Sequence, residues 1–470
     1  MKKRPVIFIA AFSAIVAAAW AMSARPPGIA DQPPAAISIF LTGNEFGEMK
    51  PCGCASGQLG GLDRRAALLS GSETSRKLIV DTGNFVDTEA PQDLIKFNII
   101  GQSLGLLDYD LVVFKPRDVE IAREQGLLES FTQAYAVIAS PGTGGDLPAT
   151  FRRNFDLNGK DVSIIIEARR DAASRSVQVY PAATIPHGGS GEVRIVVLEE
   201  CDDSVLSAAG AEEDVDCFIC PPRSDEPLVL SEQPHEPMIL TLGRFGRYVS
   251  ELRIVSAGAD GRSFPDRHGD SSGARRNRGD GLSLVFSFEP VTEDLPQAES
   301  VEQLYSFYQQ LVKETGLLER HPRSALESGL RYTGSGACKG CHGYEYDKWS
   351  TKAHAHAYAT LQRVGSEYDP ECVVCHVVGM DYESGFITPE LTGNLTDVGC
   401  ENCHGPGSRH VDSGGAQPCG RPRSDCMDCH TPDHSHYMGN EEAYFQKIIH
   451  WREQKSADNC LNKGAGDIGQ

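Results

Sequence analysis

Short apolar runs separated by helix-like patterns follow one another through residues 37–316. Apolar runs of about four to eight residues, bounded by polar or glycine-containing segments, are typical of buried strands. Helix periodicity is clearest from Pro91 to Leu107 and, in amphipathic form, from Val301 to Leu318. The predicted strands lie at residues 37–41, 78–80, 111–114, 136–138, 194–198, 216–219, 237–242, 248–255 and 282–288. This alternation predicts an α/β layered domain over residues 35–318.

The remaining segments have other patterns. Residues 256–281 are rich in Gly, Asp, Arg and Ser and lack apolar periodicity, so we expect a flexible loop there. Residues 319–335 form a predicted linker. Residues 336–456 combine short helical patterns with Gly and Pro, which indicates a mostly α, loop-rich domain, and residues 457–470 form a polar tail.

Residues 1–25 have the features of a signal peptide. A basic start, Met1 to Arg4, precedes an apolar stretch from Pro5 to Trp20 and a segment of small residues before Pro26. The alternative is an uncleaved N-terminal anchor, because the apolar stretch approaches the length of a membrane span. In both cases the rest of the chain is exported. We therefore expect a periplasmic or other extracytoplasmic location, with a membrane tether in the second case.

The composition changes this picture in two respects. The chain has 470 residues with 44 Lys and Arg against 65 Asp and Glu, and its formal charge of −21 argues against a nucleic-acid partner. It also has 15 Cys and 14 His, and so many cysteines indicate disulfides, metals or cofactors. Because the cysteine total is odd, disulfides within the chain cannot account for all of them.

Most of the cysteines belong to one repeated motif. The sequence C-x-x-C-H ends at His342, His376, His404 and His430, and its cysteines are Cys338, Cys341, Cys372, Cys375, Cys400, Cys403, Cys426 and Cys429. Two thiols one helical turn apart can bind one porphyrin covalently, and the adjacent His can bind its iron. Redox dithiols or zinc knuckles are the alternative, but the fourfold repeat in an exported chain favours four covalently attached c-type haems. We expect the porphyrins to form the core of this segment.

Each haem iron can also bind a ligand on its other side. Apart from Met427 inside a motif, the segment has only Met380 and Met438, so histidine is the commoner candidate. The candidate distal histidines are His354, His356, His410, His434, His436 and His450. Ligation by two histidines gives low-spin iron of low potential, which suits electron transfer. For any one of them an exposed surface position is the alternative, above all for His434 and His436, whereas a helical pattern over residues 349–358 includes His354.

Residues 335–455 resemble a known family. The strings CKGCH, YDKWSTKAHAHAYATL, ECVVCH, GCENCHGPGSRH, CMDCH and KIIHW are similar to the tetrahaem cytochromes c that accept electrons from hydroxylamine oxidoreductase, the cytochrome c554 family. The resemblance implies that His354, His410 and His450 are the distal ligands of three haems. It also implies that the haem on His376 is five-coordinate or is served by an additional histidine.

The α/β region resembles the calcineurin-like metallophosphoesterases of the 5′-nucleotidase type. The matching strings are GGLDRRAALL, LIVDTGN, LDYDLVVF, DVDCFIC and ILTLGRFGRYVSELRI. In that family two metal ions lie at the carboxyl ends of the strands, bound by Asp, Asn and His. At these positions this chain has Asn44, Phe46, Asn84, Lys115 and Arg117. Because two-metal hydrolysis needs anionic ligands, we expect a degenerate domain that has lost phosphoesterase activity.

Several cysteines lie outside the C-x-x-C-H motifs. Cys52, Cys54, Cys201, Cys217 and Cys220 are expected in loops at one edge of the α/β sheet. They could form a thiol site, either an additional metal centre or a redox disulfide pair, and the string PCGC resembles the Cys- or selenocysteine-bearing branch of phosphatase-like proteins. The alternative is structural disulfides, which are common in exported proteins. Cys419 and Cys460 remain, and we expect Cys460 to be unpaired.

The sequence thus predicts an exported tetrahaem electron-transfer protein whose α/β domain serves docking or thiol redox chemistry. Its acidic charge predicts redox partners with basic docking surfaces and salt-sensitive association. Two alternatives stay open. One is a phosphoester or nucleotide hydrolase with an attached cytochrome, and the other is a haem oxidoreductase that acts on a small nitrogen or sulfur compound.

Overall fold

The computed structural model describes residues 36–51, 57–70, 76–138, 147–172, 191–231, 236–256, 274–327, 329–420, 426–432 and 435–451. The predicted signal peptide, Cys52, Cys54, His434, Cys460 and the polar tail lie outside these residues. An α/β domain comes first along the chain, and a domain of short helices follows it.

The strands and helices follow one another in an α/β order. The strands are β1 (Ala36–Thr42), β2 (Lys77–Asp81), β3 (Leu111–Phe114), β4 (Ala134–Val137), β5 (Thr150–Leu157), β6 (Lys160–Arg169), β7 (Glu192–Leu198), β8 (Cys217–Cys220), β9 (Pro227–Ser231), β10 (Met238–Leu242), β11 (Tyr248–Ser256), β12 (Ala274–Asn277) and β13 (Leu282–Pro290). The helices of this domain are α1 (Leu62–Ser70), α2 (Pro91–Leu106), α3 (Pro116–Glu124), α4 (Asp203–Gly210) and α5 (Glu299–Thr315).

The strands form two sheets. The first has the order β12-β13-β11-β1-β2-β3-β4, and the second has the order β5-β6-β7-β8-β10-β9. Strands β1 to β4 pair in parallel, with α1, α2 and α3 as their connections. Parallel strands end at the same edge of a sheet, so the loops after β1, β2 and β3 meet there.

Apolar side chains fill three spaces around these sheets. Ile39 and Val80 of the first sheet and Ile164 and Val197 of the second belong to one cluster, which lies between the sheets. A second cluster packs α2, α3 and α5 on the outer face of the first sheet, and a third packs α4 on the outer face of the second. The layers are helix, sheet, sheet, helix, which confirms the predicted α/β layered class.

The domain differs from the sequence prediction at two hairpins. Strands β5 and β6, absent from the prediction, are joined at Asn158 and Gly159, whose φ angles are 55° and 82°. An Asn-Gly pair favours such a two-residue turn, and it is the signal that identifies this hairpin. The prediction of a loop throughout residues 256–281 is wrong for β12, because Ala274–Asn277 pairs with β13 and buried Arg276 donates to the Val215 carbonyl across 2.8 Å.

The C-terminal domain consists of short helices. They are α6 (Leu317–Arg320), α7 (Gly343–Trp349), α8 (Ala357–Val364), α9 (Pro370–His376), α10 (Pro389–Thr392), α11 (Cys400–His404), α12 (Ser408–Asp412) and α13 (Glu441–Ile448). The predicted mostly α, loop-rich character is confirmed. The expectation that the chain contributes no apolar core of its own needs a correction, because Val373, Val377 and Phe386 are fully buried in a small cluster.

The junction between the domains is ordered. The predicted helix from Val301 to Leu318 stops at Thr315, because Gly316 adopts a left-handed conformation with φ 61°. Leu318 then belongs to the apolar cluster of the C-terminal domain, and Arg323 donates to the Phe386 carbonyl across 3.2 Å. The predicted linker is thus packed against the C-terminal domain over this part.

Candidate functional site

The C-x-x-C-H motifs lie on single helical turns. The second motif is the end of α9 and the third is the whole of α11. In the first and fourth motifs the His342 and His430 backbone N–H groups donate to the Cys338 and Cys426 carbonyls, each across 2.9 Å. A helical turn brings the two thiols and the imidazole of each motif to neighbouring positions. None of these motif cysteines is disulfide-bonded within the described part of the chain.

Two motif histidines each lie near a histidine from a distant part of the domain. His342 and His410 have ring centroids 5.9 Å apart with 29° between their planes. His430 and His354 have ring centroids 6.2 Å apart with 39° between their planes. A metal–imidazole bond is about 2 Å long, so an ion held between two imidazoles separates their centroids by about 6 Å. The spacing of both pairs fits one iron between them.

The third motif histidine also has a histidine neighbour. Burial lowers the pKa of His404, and the proximity of His450 lowers it further. Burial likewise lowers the pKa values of His354 and His430. The neutral imidazole is the form that binds metals, so burial favours the ligand form of these side chains.

Backbone carbonyls orient several of these rings. The Nδ1 atoms of His376, His410 and His450 lie 2.6, 2.7 and 2.9 Å from the carbonyls of Ala357, Gln417 and Ile448. Because a carbonyl only accepts hydrogen bonds, Nδ1 must be the donor in each case. The lone pair then lies on Nε2, which is the arrangement of metal-ligating histidines.

The thiols show which motifs are neighbours in space. Cys338 donates a hydrogen bond to Cys400, which lowers the pKa of Cys400 to about 6. Cys429 is hydrogen-bonded to Cys375, and Cys403 lies close enough to Cys426 for their charges to interact. The first motif is therefore beside the third, the third beside the fourth, and the fourth beside the second. The third is also beside the second, because Asn402 donates its amide to the Val377 carbonyl across 2.8 Å. We call this arrangement the motif row.

Glu401, inside the third motif, ties this motif to the chain just before the first. Its buried carboxylate accepts hydrogen bonds from the backbone N–H groups of Thr333, Gly334 and Gly407 at 2.7–3.0 Å. The Ser335 hydroxyl accepts another from the Cys400 N–H at 3.1 Å. Sequence reasoning did not identify Glu401, because a glutamate between two cysteines carries no local signal of burial.

The remaining distal candidates lie in other positions. The predicted helix over residues 349–358 is wrong, because α7 ends at Trp349 and His354 lies on a 3₁₀ turn. Val398 donates to the His354 carbonyl across 3.0 Å and holds this turn. His356 is exposed on the same turn, and His436 lies in the loop after the fourth motif. No ring contact joins His376 to a second histidine within the described ranges.

The residues that the family resemblance places at metal-ligand positions lie at the carboxyl edge of the first sheet. Asn84 donates its amide to Asn44 Oδ1 across 2.8 Å, and Asn44 donates to the Gly243 carbonyl across 3.1 Å. Asn44, Phe46 and Asn84 have φ angles of 60°, 48° and 63°, in the left-handed region that such residues rarely adopt. The amides are thus bonded to the protein, and the loops keep an unusual backbone shape.

Two cations occupy the neighbouring loop. Lys115 is buried, and its ammonium donates to the Leu198 carbonyl of the second sheet across 2.7 Å. Burial lowers its pKa to about 8. Arg117 donates to the Asp87 carbonyl. Among the residues that the structure describes, no group of three or more His, Cys, Asp or Glu side chains is arranged to hold a metal ion.

The cysteines of the α/β domain do not all meet. Cys201 and Cys220 form a disulfide that joins the loop after β7 to the end of β8. Cys217 begins β8, and its side chain is fully buried in the cluster between the sheets. The expectation that Cys217 lies at the edge with the other thiols is therefore wrong, because it stands at the opposite end of the strand from Cys220. Burial raises the pKa of Cys217 far above its usual range.

Within the described ranges, no helix has both the length and the apolar character that a membrane span requires. The predicted N-terminal anchor lies outside these ranges.

Comparison with known proteins identifies the C-terminal region. Residues 337–405 match the family described as cytochrome c554 and c-prime. Cytochrome c-554 of Nitrosomonas europaea is 32% identical over 98 residues, which is 18% of this chain and 42% of that protein. The chain thus spans less than half the length of this curated relative. This region is similar to the cytochrome c554 family, as the sequence resemblance predicted.

Several solved structures are similar to the chain, with low sequence identity. The calcineurin-like phosphoesterase YfkN from Bacillus subtilis has a TM-score of 0.41 at 14% identity, and the similarity covers 60% of this chain and 99% of that one. A 5′-nucleotidase precursor from Thermus thermophilus has a TM-score of 0.40 at 12% identity, over 70% of this chain and 68% of that one. Sulfate thiohydrolase SoxB, also from Thermus thermophilus, has a TM-score of 0.40 at 13% identity, over 67% of this chain and 69% of that one.

Proposed function

We propose that this protein is an exported electron carrier with four c-type haems. The eight motif cysteines would form the thioether bonds, and His342, His376, His404 and His430 would bind the four irons. Haem supplies a one-electron couple between ferric and ferrous iron. The chain holds the irons, fixes their ligands and sets the distances between them.

The observation that carries the proposal is the spacing of the two histidine pairs. At 5.9 Å and 6.2 Å, the pairs His342–His410 and His354–His430 have the separation that a shared metal ion requires. We assign His450 to the iron of His404, as the sequence resemblance implies, and the charges of these two side chains interact. Iron with two imidazole ligands changes little in structure on reduction, which favours fast electron exchange.

The motif row gives the order of electron exchange in this proposal. Neighbouring motifs are those whose cysteines lie close together, namely Cys338 and Cys400, Cys403 and Cys426, and Cys429 and Cys375. Electrons entering near the first motif would pass through the third, which adjoins both the fourth and the second. The chain's charge of −21, to which haem propionates would add, favours partners with basic docking surfaces.

The α/β domain has a docking or thiol redox role in this proposal, without hydrolysis. A two-metal site does not fit the residues at its carboxyl edge. The Asn44 and Asn84 amides are bonded to protein atoms, and the Lys115 ammonium is buried beside them. A cation at that position would be repelled by Lys115, and the neighbouring Asp118 carboxylate already accepts the backbone N–H groups of Asn84 and Phe85.

The test is a haem count combined with a redox titration of the full chain, produced with the c-type maturation machinery. We expect four haems per chain, mostly low-spin and reversibly reducible. A matched variant, Cys338→Ala with Cys341→Ala, should lose one haem of the four. A chain that carries no covalent haem, or the same haem number in both proteins, would refute the proposal.

A second function, reduction of a small nitrogen or sulfur compound, is favoured by the surroundings of His376. Its Nδ1 is held by the Ala357 carbonyl, and His354, the histidine whose charge interacts with it, is paired with His430. An iron bound there could accept an external ligand. A high-spin signal that changes on addition of carbon monoxide or nitrite would support this function, and a fully low-spin spectrum that no ligand perturbs would exclude it.

A further inference from the structure

Three buried polar side chains join the α/β domain to the C-terminal domain. Gln92 of α2 donates its amide to Asp369 Oδ1 across 2.7 Å and to the Tyr308 hydroxyl across 2.8 Å. The Tyr308 hydroxyl, from α5, donates to Asp369 Oδ2 across 2.8 Å. Gln92, Tyr308 and Asp369 are 7%, 1% and 7% exposed, so water does not compete for these bonds.

Asp369 is the N-cap of α9, the helix that carries the second motif. Its Oδ1 atom accepts the Glu371 N–H across 3.0 Å, and its carbonyl accepts the Val373 N–H across 2.9 Å. Cys372, Cys375 and His376 follow on the same two turns. The α/β domain therefore supplies two of the hydrogen bonds that fix the start of this attachment helix.

The next residue of α5 holds a second helix beside the same motif. Gln309 donates to the Val364 carbonyl across 2.7 Å and to the Ser366 hydroxyl across 3.1 Å. These groups lie at the C-terminal end of α8. The other end of α8 provides the Ala357 carbonyl, which accepts the His376 Nδ1–H across 2.6 Å.

The turn between α8 and α9 is shaped for this contact. Gly365 has a φ of 75°, and a Cβ atom at this position would lie 3.0 Å from Gln309 Oε1. Any other residue would therefore strain the backbone and push against Gln309. The left-handed glycine allows α5 to approach both helices at once.

We propose that Gln92, Tyr308 and Gln309 are positioning residues for the second haem, so that the α/β domain sets the orientation of His376 and the reduction potential of its iron. The inference rests on the proposed function, because it requires haem on the second motif. The hydrogen-bond partners of a metal-ligating histidine orient its ring and change the properties of the metal. Here adjacent residues of one helix in the other domain hold the start of α9, which carries His376, and the C-terminal end of α8, whose first residue provides the carbonyl bonded to His376 Nδ1.

The direction of the effect follows from the Asp369 charge. Burial and the neighbouring Asp369 raise the pKa of Tyr308, so its hydroxyl stays protonated and remains a donor. In Tyr308→Phe the carboxylate loses one donor, and its negative charge acts more strongly on the nearby iron. The ferric form is then favoured, and the reduction potential should fall. In Asp369→Asn the charge is absent, and the potential should rise.

The experiment compares redox titrations of the full haem-loaded chain, followed at the haem signal that is lost when Cys372 and Cys375 are both replaced by Ala. We expect Tyr308→Phe to shift the reduction equilibrium of that signal about tenfold toward the ferric form, which is about 59 mV for one electron. The control is Tyr248→Phe, which removes a hydroxyl bonded to Glu226 within the α/β domain. It should leave this signal unchanged.

The outcomes separate this inference from the proposed function. If the chain carries four haems but the second-haem potential is the same in Tyr308→Phe, Gln309→Ala and wild-type protein, the inference is wrong and the proposed function stands. If no covalent haem is present, the proposed function is wrong. Should Tyr308→Phe fail to fold, Gln309→Ala alone decides, because its side chain is partly exposed and its loss removes only the contact to α8.

Discussion

His342 and His410 lie with their ring centroids 5.9 Å apart and their planes 29° from parallel, although one ends the first motif and the other lies on α12. The Gln417 carbonyl accepts the Nδ1–H of His410 across 2.7 Å and turns its Nε2 away from that carbonyl. The pair thus combines a separation suited to one iron with a fixed tautomer on one side. The contribution of this pair to iron ligation can be measured by replacing His410, the histidine that lies outside the motif.

His410→Ala should convert one low-spin haem to high-spin and raise its reduction potential, because the iron loses one of two imidazole ligands. Electron paramagnetic resonance of the ferric protein measures the spin state directly. The matched control is His321→Ala, since His321 bonds Asp381 across 2.8 Å at a distance from the motifs. An unchanged low-spin count in His410→Ala would contradict the assignment.

Lys115 should make the stability of the α/β domain depend on alkaline pH. Burial lowers its pKa from 10.5 to about 8, so the unfolded chain binds more protons than the folded chain between these values. Stability should therefore rise with pH from about 8 to about 10.5, by about 3 kcal/mol in total. Below pH 8 both states are protonated, and the burial cost is fully present.

The measurement is the free energy of unfolding in urea at several pH values. Lys115→Met should remove the rise, because no ammonium has to be buried. Lys77→Met is the control, since Lys77 also donates to a backbone carbonyl, that of Leu69 at 3.2 Å, and is only partly buried. The prediction fails if wild-type and Lys115→Met proteins show the same slope.

The Cys201–Cys220 disulfide should stabilise the second sheet. It closes a loop with a sequence separation of 19, for which chain entropy gives about 3 kcal/mol. Dithiothreitol should lower the unfolding temperature of the wild-type chain and leave that of Cys201→Ser unchanged. Cys217→Ala should keep the wild-type response, because Cys217 is buried and outside the disulfide. Equal responses of wild-type and Cys201→Ser proteins would mean that the disulfide contributes nothing.

The acidic charge should control encounters with redox partners. With a formal charge of −21, reduction by a cationic reagent should slow as salt is added, because ions screen the attraction within about 10 Å at 0.1 M. Stopped-flow rates at increasing ionic strength test this expectation. A neutral reagent serves as the control and should show little change, whereas a rate that rises with salt for the cationic reagent would contradict a role for the net charge.

Much of the α/β domain could be predicted because its signals are local. The buried run at residues 111–114 became β3 with the predicted bounds, and the helix predicted from Pro91 ends at Leu106. The C-x-x-C-H motifs likewise identify themselves by spacing. The pairing of distal histidines with motif histidines could not be derived in the same way, because the contact between His354 and His430 depends on how the chain folds between them.

The residues missed by sequence reasoning are those whose role depends on distant partners. Asp369 looks like an ordinary helix N-cap before Pro370, and nothing near it indicates the bonds to Gln92 and Tyr308. Glu401 is similar, since its partners Thr333 and Gly334 precede the first motif. The prediction for Cys217 was wrong because Cys217 is close to Cys220 in sequence, which suggested that both thiols lie at the same edge of the sheet. The two residues stand at opposite ends of an extended strand.

The motif row has a consequence for how the chain can be shortened. The fourth motif is the last along the sequence, yet it lies between the third and the second in space. Cutting the chain before Cys426 would therefore remove a motif from inside the group. The bond from the Asn402 amide to the Val377 carbonyl would still join the third motif to the second, which is fixed to the α/β domain through Asp369.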